Sequence, residues 1–141
     1  MAEAITFHFD VDGENFTSAG NASVQVKRKL RHLGFPADVI KRVAIAMYEG
    51  EINMVIHADG GSADVIVSPE EVKIVLADRG PGIPDVALAM KEGYSTASDS
   101  IRSLGFGAGM GLPNMKRYTD SMEIETELGV GTTITMTVKV A

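Results

Sequence analysis

The sequence predicts an α/β (α+β) two-layer sandwich, with helices on one face of a mixed, mostly antiparallel sheet. Three observations predict it. The chain opens and closes on stretches that alternate apolar and polar residues, which is the period of half-buried strands. Between them runs a helical stretch that is apolar almost all round, as in a helix packed at the centre of a domain. Two further strand patterns follow that helix with only a turn between them, and this excludes a purely parallel, doubly wound sheet.

In chain order, Ile5, Phe7, Phe9 and Val11 alternate with Thr6, His8 and Asp10, giving a first strand that ends at Asp12 and Gly13. A helix is expected from about Glu14 to Leu33, with Phe16, Ala19, Val26, Leu30 and Leu33 as core positions. Gly34 closes it and Pro36 opens the next, the usual asymmetry of helix ends. The central helix spans Ala37 to His57, and Asp59, Gly60 and Gly61 then break the chain. Strands over Ala63–Val67 and Val72–Ala77 flank the turn Ser68-Pro69-Glu70-Glu71. After the loop Asp78-Arg79-Gly80-Pro81-Gly82 come a short helix over Asp85–Lys91 and a polar stretch from Tyr94 to Ser103. A glycine-rich segment, Gly105 to Gly111, leads into a helix over Leu112–Thr119 and two last strands, Met122–Glu127 and Thr132–Val140. In the final strand Ile134, Met136, Val138 and Val140 share one face.

A length of 141 residues suits one domain, 1–141, large enough to bury its own core. Cysteine is absent, which removes disulfides, thiolate zinc sites and cysteine nucleophiles together. Residues Met1 to Ile5 show no basic segment followed by an apolar one, and no apolar run reaches membrane-spanning length, so a cytoplasmic protein is expected. With 13 basic against 19 acidic residues the net charge is −6, which argues against nucleic acid as the main partner. The one basic cluster, Lys27 to His32, follows a helical pattern and reads as a solvated face or a protein contact.

Four constellations carry chemistry. Glu49 and Asn53 lie four apart in the central helix and so share a face; an Asn oxygen suits Mg²⁺ that also holds nucleotide phosphates. A structural pair bonded to nearby backbone has the same spacing, and Glu51 is a rival carboxylate that burial alone does not separate from Glu49. Asp78 ends an apolar strand beside Gly80 and Gly82, placing an acceptor next to closely approachable backbone. An adenine amino group is a fitting donor for it, while an ordinary turn accounts equally for the sequence. Gly105, Gly107, Gly109 and Gly111 precede a helix opening at Leu112; such a run lets N–H groups converge on phosphate. It is neither a P-loop nor a dinucleotide fingerprint, since the Lys-Ser/Thr ending and the surrounding βαβ unit are both missing. Tyr94–Ser103 before it reads as a lid, from which Arg102 reaches a γ-phosphate or stands as a surface arginine. Gly129 to Thr133 is a hairpin turn with a threonine, Thr132 or Thr133, available to assist Asp78.

In order and spacing these elements resemble the GHKL ATPases of the gyrase, histidine kinase and MutL type, whose nucleotide domain is the Bergerat fold. The likeness covers nearly the whole chain. Glu49-Gly-Glu-Ile-Asn53 is similar to the family's Asn box, and Asp78–Gly82 and Gly105–Gly111 to its two glycine boxes. Gly131-Thr132-Thr133 is similar to its final Gly-Thr element. The resemblance implies ATP and Mg²⁺ as cofactors, with Asn53 on the metal, Asp78 on the adenine, and Thr132 or Thr133 in support. The runs Asp78–Asp85, Glu92–Thr96 and Gly109–Arg117 resemble small bacterial anti-sigma serine kinases and stressosome switch kinases. That likeness implies Glu49 as the base, a STAS-domain antagonist as substrate, a sigma factor or PP2C-type phosphatase as a further partner, and a homodimer. A nucleotide-gated binding module with little kinase activity is the alternative. A histidine kinase is the third reading, and none of His8, His32 or His57 stands where a phospho-acceptor needs to be.

Overall fold

The computed structural model describes residues 4–12, 20–57, 60–80 and 111–140. Their order is β1 (Ile5–Asp12), α1 (Asn21–His32), α2 (Ala37–His57), β2 (Gly60–Val67), β3 (Glu71–Asp78), α3 (Gly111–Arg117), β4 (Ser121–Glu127) and β5 (Gly131–Lys139). The strands form one sheet in the order β1-β2-β3-β5-β4. Every described pairing is antiparallel, so the mixed character expected from sequence does not appear among these strands. Short turns join β2 to β3 and β4 to β5, as antiparallel pairing allows.

Strand alternation decides the layers. Val65, Val72, Ile74, Met136 and Val138 are fully buried on one face of the sheet, against Val26 and Leu30 of α1, Val43 and Met47 of α2, and Met115 of α3. Phe7 and Phe9 of β1 pack on the edge of this cluster. The predicted central helix has the bounds the sequence gives it, and it buries Val39, Ile40, Val43, Ala46 and Met47.

The first helix differs from expectation. Its described part begins at Asn21, and Phe16 and Ala19 lie outside the described residues. Leu33, expected in the core, is 47% exposed, because α1 has already stopped there. Gly34 takes a left-handed φ of 81°, and the amide of Phe35 turns back to donate to the Leu30 carbonyl at 3.1 Å. The helix thus ends at His32, two residues after its last core position, Leu30. The predicted helix over 85–91 and the lid over 94–103 lie outside the described residues. The predicted helix over 112–119 is α3; beyond its end, Thr119 donates its hydroxyl to the Met115 carbonyl at 2.8 Å.

Arg42 ties α2 to the far end of the sheet. Its guanidinium donates to Asp38 at 3.1 Å, to Asp120 at 3.2 Å and to the Lys139 carbonyl at 3.2 Å. No described helix is long and apolar enough to cross a membrane.

Candidate nucleotide site

Helix α2 carries the first half of the site. Glu49 is half-buried, and burial pushes its carboxyl above the ordinary glutamate range. A side-chain hydrogen bond with Asn114 of α3 opposes that shift without cancelling it. Asn53, one turn further on, is also half-buried and projects from the same side of the helix. Between them, Gly50 lies over β3, where an added Cβ would meet Leu76 Cδ1 at 2.1 Å. A bare Cα at 50 therefore lets the helix rest directly on the strand that ends in Asp78.

The rival carboxylate is resolved by its partners. Glu51 is 2% exposed, and it faces α1. Its Oε2 accepts the amides of Gly20 at 2.9 Å and Ala22 at 3.2 Å, and its Oε1 accepts that of Ser23 at 2.6 Å. These are amides at the start of α1, which lack partners within their own helix. Gly20 is the N-cap, has a left-handed φ of 93°, and offers no side chain to cap them. A carboxylate from another helix does so instead, with the favourable end of the helix dipole behind it. Burial still raises its pKa, and the three amides oppose the rise. Glu51 is thus committed to α1, and Glu49 is the carboxylate left beside Asn53.

The second half of the site is the end of β3. Asp78 continues the buried face of Val72, Ile74 and Leu76. Its Oδ1 accepts the Gly80 amide at 3.0 Å and the Thr132 amide at 2.9 Å. Gly131 makes the second bond possible: a Cβ there would fall 2.2 Å from the Asp78 carbonyl oxygen. The Thr132 side chain is buried, and its hydroxyl pairs with that of Thr126 at 2.9 Å. Of the two threonines named by sequence, Thr132 therefore reaches Asp78, and does so through its backbone. Thr133 does not; strand alternation turns it to the opposite face, beside Ala77 and Glu125.

Gly80 is buried, Gly111 opens α3, and Leu112 joins the apolar core. Gly82, Arg102, Gly105, Gly107 and Gly109 lie outside the described residues. Two residues of the site escape sequence reasoning. Asn114 holds Glu49, and its only signal was a place within the run 109–117. Thr126 supports Thr132, which only the β4–β5 register reveals.

Two carboxylates with different surroundings, and a carboxamide beside one of them, sit on a sheet with helices on one face. Residues 15–138 match the histidine kinase-like ATPase domain, and the chain belongs to that family. Among curated relatives, the serine/threonine-protein kinase RsbT of Bacillus subtilis is 32% identical over 108 residues, covering 74% of this chain and 75% of that one. An anti-sigma F factor of Clostridium beijerinckii is 30% identical over 119 residues, with 80% of each chain covered. The solved RsbU and RsbW domains of Rv1364c from Mycobacterium tuberculosis share the fold, with a TM-score of 0.67 at 17% identity over 96% of this chain. This chain spans 32% of that larger structure.

Proposed function

We propose that the protein is an ATP-dependent protein serine/threonine kinase of a bacterial partner-switching system, acting as a single domain and as a homodimer in the cytoplasm. The observation that carries this reading is Glu49: a half-buried carboxyl with a raised pKa, held by Asn114 and sharing a helix face with Asn53. A base of raised pKa works closer to neutral pH than an ordinary glutamate. The Glu49 carboxylate takes the proton of a substrate serine or threonine hydroxyl as its oxygen bonds to the γ-phosphorus; the bond to the β-phosphate oxygen breaks, and ADP leaves. Such transfers depend chiefly on positioning and charge neutralisation.

The donor set fits the nucleotide and metal that the family implies. Both described bonds to Asp78 use Oδ1, which would leave Oδ2 to accept from an adenine amino group. Asn53 supplies one neutral oxygen donor, which suits a Mg²⁺ held mostly by phosphate and water. When bound, that metal neutralises phosphate charge. Gly80 belongs to the adenine end, and Gly82, Arg102, Gly105, Gly107, Gly109 and Gly111 to the phosphate end. The substrate is a STAS-domain antagonist, and the further partner is a sigma factor or PP2C-type phosphatase.

The test is a titration with ATP and ADP, with and without Mg²⁺, followed by phosphotransfer to a purified STAS-domain protein. Asn53→Ala is expected to lose Mg²⁺-dependent binding, and Glu49→Ala to bind nucleotide but transfer nothing. The anti-sigma F relatives favour a second reading, in which nucleotide only gates partner binding. Partner switching that survives Glu49→Ala but not Asn53→Ala selects that reading; absence of nucleotide binding by the wild type overturns both.

A further inference from the structure

Helix α3 reaches the Glu49 carboxylate because α2 is bare where the two helices meet. Met115 Sδ lies 3.5 Å from where a Gly50 Cβ would stand, and the Met115 side chain is fully buried. The residues next to these two, Glu49 and Asn114, are half-buried and hydrogen-bond through their side chains. On its other side Asn114 accepts from Arg117, one turn along α3, whose Nη1 donates to Oδ1 at 3.4 Å. A guanidinium has donors only, and an ionised carboxyl has acceptors only. The carboxamide between them satisfies both in a single orientation, with Oδ1 toward Arg117 and Nδ2 toward Glu49. Turned over, it sets donor against donor and acceptor against acceptor. Arg117, Asn114 and Glu49 thus form a chain of hydrogen bonds with one direction.

We propose that Asn114 is a positioning residue for the phosphoryl transfer, and that Arg117 keeps its amide turned the right way. The proposal rests on the reading of Glu49 as the base. A glutamate carboxylate has two oxygens and a broad last torsion, so by itself it points loosely. With one oxygen held by Nδ2, the other has a fixed direction from which to take the hydroxyl proton of the serine or threonine. Placement of this kind matters because transfer slows steeply when a reacting group is displaced even slightly. The same bond acts on basicity in the opposite sense. A donor to the ionised carboxyl favours that form, so Asn114 makes Glu49 a weaker base than burial alone would. Without Asn114 the base is stronger but badly aimed, and that difference separates positioning from tuning.

The experiment uses the full chain. It titrates Glu49 by carbon NMR of its labelled carboxyl without nucleotide, and follows phosphotransfer from ATP and Mg²⁺ to a purified STAS-domain protein across pH. In Asn114→Ala the Glu49 titration is expected to move up by about half a pH unit. Its kcat is nevertheless expected to fall about tenfold, and to stay down on the alkaline plateau where Glu49 is ionised in both proteins. KM and ADP affinity are expected to stay within about twofold of wild type. Asn114→Asp keeps the volume and the Arg117 bond but has no donor for Glu49, and it is expected to lose at least as much kcat. That variant decides the matter should alanine disturb α3. Arg117→Met is expected to lower kcat about threefold in wild type and to add nothing to Asn114→Ala. A Glu49 titration unmoved in Asn114→Ala overturns the positioning role, and so does a kcat that recovers fully at alkaline pH. An equal effect of Arg117→Met in both backgrounds overturns the part given to Arg117. If wild type transfers nothing, or Glu49→Gln transfers as fast, the base reading fails and takes the positioning role with it, even where the titration shows the bond.

Discussion

Glu51 and Ser23 meet across two helices, the carboxylate of one accepting the backbone amide of the other at 2.6 Å. The two residues are 28 apart in sequence, and no described contact is more directly placed to set where α1 begins. Replacing Glu51 with Gln keeps the shape but points an amide NH₂ at N–H donors. A loss of about 2–4 kcal/mol in stability is expected, because buried amides lose an ionised partner. Urea denaturation with an unchanged m-value checks it.

Gly131 is a steric requirement of the approach of β5 to Asp78, the proposed adenine contact. Its φ is 153°, and a Cβ there would meet the Asp78 carbonyl oxygen at 2.2 Å. Gly131→Ala is expected to cost about 2 kcal/mol and to weaken nucleotide binding with it. Gly129→Ala, at the same turn with nothing within 4 Å of its Cβ, bears only the strain of a φ of 79° and leaves nucleotide affinity unchanged. Isothermal titration of both variants separates the two effects.

Asp78→Asn removes the charge while keeping the volume. The Gly80 and Thr132 amides then share a neutral oxygen, and an amino donor at the adenine position faces an NH₂ in one of the two orientations. A fall of about thirtyfold in nucleotide affinity is expected, the equivalent of roughly 2 kcal/mol. Binding curves for ATP and ADP report it.

Leu30 and Leu33 look alike in sequence and differ in place. Leu30 is fully buried and Leu33 is 47% exposed. Leu30→Ala is expected to lose about 3 kcal/mol, and Leu33→Ala less than about 1 kcal/mol. Thermal or chemical melting of the two variants makes the comparison.

Two surface groups give stability a pH dependence of opposite sign. His8 lies between Asp64 at 2.6 Å and Asp10 at 3.2 Å, and these hydrogen bonds raise its pKa above 6.5. Its contribution is complete below pH 6.5 and is lost as pH rises through the raised value. Asp120 accepts the Lys139 amide at 2.6 Å and an Arg42 N–H, which lower its pKa below 3.8. Its contribution is present above pH 3.8 and is lost as pH falls through the lowered value. Urea midpoints of His8→Gln should converge on wild type in the alkaline range, and those of Asp120→Asn in the acidic range.

Much of the fold was legible because it rests on periodicity. The bounds of α2, the alternation in β5 and the β2–β3 turn all follow from apolar spacing and turn residues. The N-cap of α1 was not, since apolar spacing gives no sign that Gly20 takes a left-handed φ and caps the helix that begins at Asn21. The site was legible as residue types at intervals: Glu49 with Asn53, and Asp78 before its glycines. What stayed hidden was everything fixed by long-range pairing. Spacing alone left Glu49 and Glu51 undivided, and only the arrival of α1 amides divides them. Likewise, only the register of β5 on β3 places Thr132 inward and Thr133 outward.

Strand β5 lies between β3 and β4, so Asp78 receives its Thr132 amide from a residue made 54 positions later. During synthesis on the ribosome, the β3 carboxylate therefore emerges well before the group that orients it. A nascent chain that has already formed β1, β2, α2 and β3 still lacks the Thr132 amide that holds Asp78. The Asp78 end of the site closes only when β5 slots in between β3 and β4, so any ligand recognition that depends on Asp78 is among the last properties a newly made molecule acquires. A fragment ending before Thr132 is for the same reason a folding intermediate without a ligand to rescue it.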